Sequence, residues 1–381
     1  MLNSGQVMQS TSAQVVAATH DAVENGTYRL FYSYPTPTSL KIKKPLRPTE
    51  LVDKYTEYRI RLGRAKKKGI YQDRAILLLI CKLIGFDDLN ELDYETVEYI
   101  RDALSHYPVN ASKNKLFNGL VGFDAINLNI KLRGASLSFK TIKSHIQKFS
   151  SFCAWCVKHE YISKNYFYKV EFGKKSENKR HRFSNEQLQT IFNIEQYLEH
   201  RYFHPYYYWI PLLLHYTGAR LNELCQLYSE DVKLINGIYC IKVHADGDRE
   251  VKTEDAIRLI PLHDELIAKG FVKFVENKAG RIFPELKKIN GYYSHNASKW
   301  FARVREKLGL GKGFDAHSFR HTFIDDLKQL GVPLEVVECI VGHKHNSESF
   351  DVYSEEYNVY IKKEAIQRIR TSITRHIRAF R

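Results

Sequence analysis

The apolar positions in the N-terminal half of the chain fall at helical spacing. After Pro48-Thr49-Glu50, the residues Leu51, Tyr55, Tyr58 and Leu62 keep one face up to Gly63, which predicts a helix with a glycine stop. Further helices are predicted over residues 71–84, from near Asp93, and over 137–159. In the last of these Phe139, Ile142, Ile146, Phe149 and Phe152 recur at spacings of three and four. No strand pattern competes, so residues 47–172 read as a compact helical domain. Residues 1–46 are weakly periodic, with Pro35, Pro37 and Pro45 in quick succession, and read as a mobile arm.

Residues 173–182 are basic and carry no large apolar side chain, so a linker over 173–183 separates this domain from the next. Ser184-Asn185-Glu186 then opens a helix, and a mixed domain runs over 184–360. Its helices flank short β-rich runs: Ile238 to Val243, a segment through Val251, and Ile257 to Leu262. Asp246-Gly247 is the expected hairpin turn. Over 361–381, Ile366, Ile369, Ile373, Ile377 and Phe380 alternate with Arg368, Arg370, Arg375, Arg378 and Arg381. That is a basic amphipathic helix, and docking on a protein surface is favoured over lying on a membrane. The expected class is α+β, mostly α: an N-terminal helical domain and a C-terminal mixed α/β domain with a small antiparallel sheet.

The length of 381 residues fits two or three domains. Charge narrows the partners. Lys plus Arg is 58 against 43 for Asp plus Glu, a net +15, which attracts nucleic acid or, less often, an acidic membrane face. The longest apolar runs, Ala75 to Ile84 and Tyr206 to Leu214, are too short or too interrupted to span a bilayer, so no membrane is expected. The first basic side chain is Arg29, unlike a signal or transit peptide. The six Cys are scattered. Cys153 and Cys156 lie in an apolar helical pattern and read as packed, reduced thiols, which implies a cytoplasmic setting.

Four segments carry candidate chemistry. Gly218-Ala219-Arg220-Leu221-Asn222-Glu223 places Arg220 and Glu223 on one helical face. Lys252 falls near the predicted hairpin turn. His317 and Arg320 lie three apart near a helix start. Gly342-His343 closes another helix and is followed by Tyr353 and Tyr357. His317 and His321 have the spacing of half a zinc site, but no third ligand follows, so neither metal nor cofactor is expected.

Each signal is weak by itself; their order is not. Arg220, Lys252, His317-x-x-Arg320, Gly342-His343 and Tyr353 resemble the tyrosine recombinase (phage integrase) family. Leu227-Tyr228-Ser229-Glu230-Asp231-Val232, Arg258 with Ile260-Pro261-Leu262, and Arg281-Ile282-Phe283-Pro284 match between the motifs. Tyr228 stands where Trp is common, and Val341 where Leu is common. Residues 47–172 are similar to the family's core-binding domain in general character only.

The resemblance implies a site-specific recombinase, integrase-like, that breaks and rejoins DNA through a 3′-phosphotyrosyl intermediate without metal or ATP. Tyr353 is the implied nucleophile, with Tyr357 as the alternative. Arg220 and Arg320 stabilise charge on the phosphate, and Lys252 is the candidate general acid. His317 is the candidate base, His343 a hydrogen-bond donor, and Glu223 an orienting residue. Arg64, Lys66, Lys67, Lys68, Lys140, Lys143, Lys179 and Arg180 are candidate DNA contacts. The implied partners are double-stranded DNA, a homotetramer on two DNA sites tethered through 361–381, and accessory DNA-bending or directionality proteins. A mobile element is the expected setting. A type IB topoisomerase-like enzyme, a catalytically silent DNA-binding regulator and a metal-dependent nuclease are the alternatives.

Overall fold

A computed structural model describes residues 46–173, 181–343 and 357–381. It divides into two compact units, Met1–Lys175 and Ser176–Arg381. The arm lies outside the described residues except for Leu46, which packs on the core of the first unit. Most of the expected linker, 174–180, also lies outside them.

The α-helices of the first unit are α1 (Pro48–Leu62), α2 (Lys67–Ile84), α3 (Tyr94–His106), α4 (Phe123–Lys131) and α5 (Phe139–Lys158). Helix α1 has Pro48 and Glu50 in its first turn and stops at Gly63, which takes a left-handed φ of 66°. Helix α2 begins earlier than residue 71. It takes Lys67 and Lys68 into a first turn with no acidic side chain to complement the helix dipole. Helix α4 has no counterpart in the sequence expectation. Ala125 and Ile126 are buried, whereas Phe123 and Ile130 are exposed, which blurs the amphipathic pattern. Helix α5 starts where Ser138 accepts the Thr141 N–H at 3.3 Å, and it buries Ile142, Ile146, Phe149 and Phe152. These meet Leu51, Val52, Leu77, Ile80, Ile100 and Leu104 in one core.

In the second unit come α6 (Asn185–Phe192), α7 (Glu195–Leu198), α8 (Pro205–Thr217) and α9 (Leu221–Cys225). Three strands follow: β1 (Val232–Ile235), β2 (Ile238–Val243) and β3 (Arg258–Pro261). Then come α10 (Asp264–Ala268), α11 (Phe271–Glu276), α12 (His295–Lys307), α13 (Ala316–Gln329), α14 (Leu334–Val341) and α15 (Val359–Gln367). Helix α8 is buried continuously from Tyr208 to Thr217 and packs on α13. It is apolar all round because it is the centre of the unit.

The sheet order is β1-β2-β3, antiparallel throughout. Val232 pairs with Ile241 and Ile235 with Ile238 across β1 and β2, while Val243 pairs with Arg258 across β2 and β3. The tight hairpin is therefore at Asn236-Gly237, with φ of 48° and 77°. This corrects two expectations. There is no strand through Val251, and Asp246-Gly247 belongs to the longer loop 244–257. Side chains hold that loop in place of a ladder. His244 lies 2.7 Å from Asp231 and 2.8 Å from Asp246, and Arg249 donates to Asp231 at 2.9 Å and Glu230 at 2.6 Å.

The C-terminal segment also departs from expectation. Its helix ends at Gln367, and residues 368–381 continue as turns. A Thr371-Ser372 pair, whose hydroxyls compete for backbone groups, follows the helix end. Ile366, Ile369, Ile373 and Ile377 are buried in the core of their own unit. Phe380 lies 4.9 Å from Phe274 and 5.4 Å from Trp209. Tyr208 Oη donates to the Arg378 carbonyl at 2.7 Å, and Lys269 Nζ to the Ile377 carbonyl at 2.8 Å. The apolar stripe offered for a neighbouring protomer is spent within the chain.

Candidate active site

The site begins where α8 ends. Gly218 has φ of 58°, and an added Cβ would lie 2.4 Å from the Phe323 ring, so the chain turns tightly against α13. Arg220 follows at the start of α9. Its backbone N–H donates to Glu223 Oε2 at 2.9 Å and its Nη1 to Glu223 Oε1 at 2.8 Å. The i,i+3 pair of the sequence is thus a cap and an ion pair at once. Glu223 is 3% exposed and also accepts from Arg258 Nη2 at 2.8 Å. Burial pulls its carboxyl upward, but Arg258 and Arg220 outweigh that and hold it below the usual carboxylate range.

Helix α13 brings in Arg320. Asp315 caps it by accepting the His317 N–H at 2.7 Å. Arg320 is 1% exposed; its Nη1 donates to the Gly218 carbonyl at 2.9 Å, and its Nη2 is buried without a hydrogen-bond partner. Burial, then Arg220 and Arg258, push this guanidinium down to about 9, which leaves it charged at neutral pH. An orphaned buried cationic donor marks a place where an anion belongs.

His343 follows the C-terminus of α14. Gly342 has φ of 68°, and its carbonyl accepts from Arg220 Nη2 at 3.1 Å. Burial, then Arg320, Arg220, Arg258 and His321, push the His343 imidazole down to about 4, so it is neutral at pH 7. His317 is half-buried, with its ring 4.9 Å from that of His321. Among the described residues no group of three His, Cys, Asp or Glu has a metal-holding arrangement.

The structure therefore gathers Arg220, Glu223, Arg320 and His343 around one point. It adds Arg258, which the sequence places only as part of a strand match. Lys252 is exposed in loop 244–257 rather than beside a two-residue turn. Tyr353 lies outside the described residues; Tyr357 is half-buried against the unit's core. In the first unit Arg64, Lys66, Lys67, Lys68, Lys140 and Lys143 are all exposed. Lys143 Nζ lies 5.9 Å above the Phe172 ring. Lys179 and Arg180 lie outside the described residues. Cys153 and Cys156, read as packed thiols, are both buried, and burial pushes Cys156 up to about 12.

Residues 181–358, which hold the whole cluster, match the phage integrase family. The likeness covers this segment, a little under half of the chain. Among its relatives, a tyrosine recombinase of Thermosipho africanus is 25% identical over 35% of this chain and 44% of its own length. Tyrosine recombinase XerD of Staphylococcus saprophyticus is 27% identical over 41% of this chain and 50% of its own. The corresponding values for XerA of Pyrococcus furiosus are 24%, 42% and 53%. The chain thus spans about half the length of these relatives.

Solved integrase structures share the fold. The Tn1549 transposon integrase in complex with transposon right end DNA superposes with a TM-score of 0.56 at 18% identity, covering 85% of this chain and 99% of that one. A lambda integrase dimer bound to a COC′ core site gives 0.53 at 16%, covering 81% and 99%. The mostly helical α+β class of the chain agrees with both. Among its described residues no helix is long and apolar enough to cross a membrane.

Proposed function

We propose that this chain is a site-specific DNA recombinase of the integrase type, which cuts and rejoins DNA through a 3′-phosphotyrosyl intermediate. The observation that carries the reading is the buried, unpartnered Nη2 of Arg320, set among Arg220, Arg258 and the neutral His343 with Glu223 as their shared carboxylate. Three guanidiniums against one carboxylate leave excess positive charge where a phosphodiester builds negative charge.

In this reading the Tyr353 oxygen attacks phosphorus, the bond to the 5′-oxygen breaks, and the phosphate stays on the tyrosine. His317 accepts the tyrosine proton, and Lys252 supplies a proton to the leaving 5′-oxygen. Arg220 and Arg320 bind the non-bridging oxygens, and His343 donates an N–H to one of them. Reversal by another strand's 5′-hydroxyl reseals the DNA, so the bond is conserved and no ATP is used. Removing one such donor costs about 10²–10³ in rate. The exposed basic residues of the first unit, with Lys179 and Arg180, hold the duplex in sequence-independent contacts. Relatives crystallised as a dimer on a core site and as a tetramer on a Holliday junction support assembly on two DNA sites. Accessory proteins set direction, and the protein acts on the DNA of a mobile element in the cytoplasm.

The test starts from duplexes enriched for binding from a randomised pool. A nick placed next to each position of the enriched site lets the cleaved fragment diffuse away and traps the intermediate. A protein–DNA adduct that forms in EDTA and is absent in Tyr353→Phe is the expected result. An adduct that persists in Tyr353→Phe and is lost in Tyr357→Phe moves the nucleophile. Tight binding with no adduct at any nick supports the silent regulator instead.

A further inference from the structure

Arg258 occupies the meeting point of three segments that carry other site residues. Its Nε donates to the Ile340 carbonyl at 2.6 Å, its Nη1 to the Ala256 carbonyl at 2.6 Å, and its Nη2 to Glu223 Oε2 at 2.8 Å. The residue is 4% exposed. Every nitrogen of this guanidinium has a protein acceptor, whereas Arg320 keeps one nitrogen without one. A buried fork filled in this way does not grip a substrate oxygen. It fixes the separation of the groups it bridges.

Those groups are the ones the site needs to keep in register. Glu223 orients Arg220. Ala256 belongs to the loop that carries Lys252. Ile340 lies in the last turn of α14, just before Gly342 and His343. The turn at Gly342 is pressed onto the guanidinium: an added Cβ would lie 2.9 Å from Arg258 Nη1 and 3.1 Å from the Ala256 Cα. The side-chain plane of Arg258 is therefore the surface against which the His343 turn is set.

We propose that Arg258 is a positioning residue. It holds the Glu223–Arg220 pair, the Lys252 loop and the Gly342–His343 turn in one arrangement without touching DNA. The inference rests on the recombinase reading and adds a residue to it. A lysine keeps the charge but is a point donor on a flexible stem, and it does not span three acceptors set around a planar fork.

The test compares Arg258→Lys with Lys269→Gln. Lys269 is also a buried cation, held by Glu265 and the Ile377 carbonyl away from the site residues. Binding to the enriched nicked duplex and the rate of adduct formation are measured at a temperature where both variants are folded. Arg258→Lys is expected to slow adduct formation about 10- to 100-fold, with duplex affinity within about twofold of the parent. Lys269→Gln is expected to lose stability but keep the rate.

A second readout needs no cleavage. In protein labelled with ¹⁵N-histidine, the His343 imidazole signal, assigned by its loss in His343→Gln, should shift in Arg258→Lys and stay in place in Lys269→Gln. A parental cleavage rate together with an unmoved His343 signal in Arg258→Lys overturns the proposal. So does a rate loss that Lys269→Gln shares at matched loss of stability. If the parent protein forms no adduct at all, it is the recombinase reading that fails. The His343 signal alone then decides whether Arg258 sets the turn.

Discussion

Replacing Glu223 by Gln removes the only carboxylate among the described residues that is hydrogen-bonded to Arg220 and Arg258. It leaves shape and volume nearly unchanged. Both pairs are at 2.8 Å, and the carboxyl is 3% exposed. The new amide keeps one oxygen but turns an NH₂ toward a guanidinium, donor against donor. Removing one partner of a buried ion pair costs about 3–5 kcal/mol, because the remaining charge stays buried. Here two guanidiniums lose their counter-charge while Arg320 adds to the repulsion, so the upper part of that range applies. For a unit of about 150–250 residues, 1 kcal/mol moves the melting temperature by about 2–4 °C, so a fall of about 10 °C is expected.

The reasoning makes a second demand that a general packing defect would not meet. Without Glu223 the cluster should bind inorganic sulfate more tightly. A ligand at a hundred times its Kd stabilises by about 2.7 kcal/mol. Calorimetric melts of the parent and Glu223→Gln across a sulfate series, at constant ionic strength set with chloride, measure both effects. Sulfate should restore a larger part of the loss in the variant than it adds to the parent. Acid supplies an internal check. The folded carboxyl is held low, so its contribution is complete above the ordinary Glu pKa and is lost as pH falls through the folded value. Glu223→Gln should lack that acid limb. A variant within about 1 kcal/mol of the parent, or one that gains no more from sulfate than the parent does, would refute the account of the site as an uncompensated cation cluster.

Gly342→Ala puts a Cβ 2.9 Å from Arg258 Nη1 on a backbone at φ of 68°. Left-handed strain and overpacking together should cost about 2–4 kcal/mol in urea unfolding, and an unchanged midpoint would contradict the close approach. Ile377→Ala should destabilise the second unit by about 2–5 kcal/mol at protein concentrations where the chain is a monomer. A loss that appears only on assembly would return residues 361–381 to the role of a tether. Burial, then neighbouring His263, push the imidazole of His215 down to about 4. An unfolded His titrates near 6.5, so stability is full above that pH, declines as pH falls toward 4, and is flat below. The loss is up to about 3 kcal/mol, and His215→Gln should flatten the slope.

What the sequence reveals depends on whether the deciding interaction is local. Helix α5 is legible because its buried residues follow a helical period, and the Arg220–Glu223 pair because one turn of helix makes the contact. The isoleucines of the C-terminal segment are legible as a stripe that must be buried. Their spacing carries no information about whether the covering surface is another protomer or the core of the same unit. The hairpin is misplaced for a similar reason. Asp246-Gly247 and Asn236-Gly237 are both turn signals. What separates them is the long-range set of Asp231, His244 and Arg249, which ties residues 244–249 down as a loop.

Arg258 is the extreme case. It pairs with residues 35 and 82 positions away in sequence and has no short-range signature beyond an arginine in a strand. The side chains that meet the phosphate in the proposed chemistry are legible as residue types in order. The side chain that sets their spacing emerges only when three distant segments close on one guanidinium. A change at Arg258 should therefore alter the chemistry while leaving every recognisable motif residue in place.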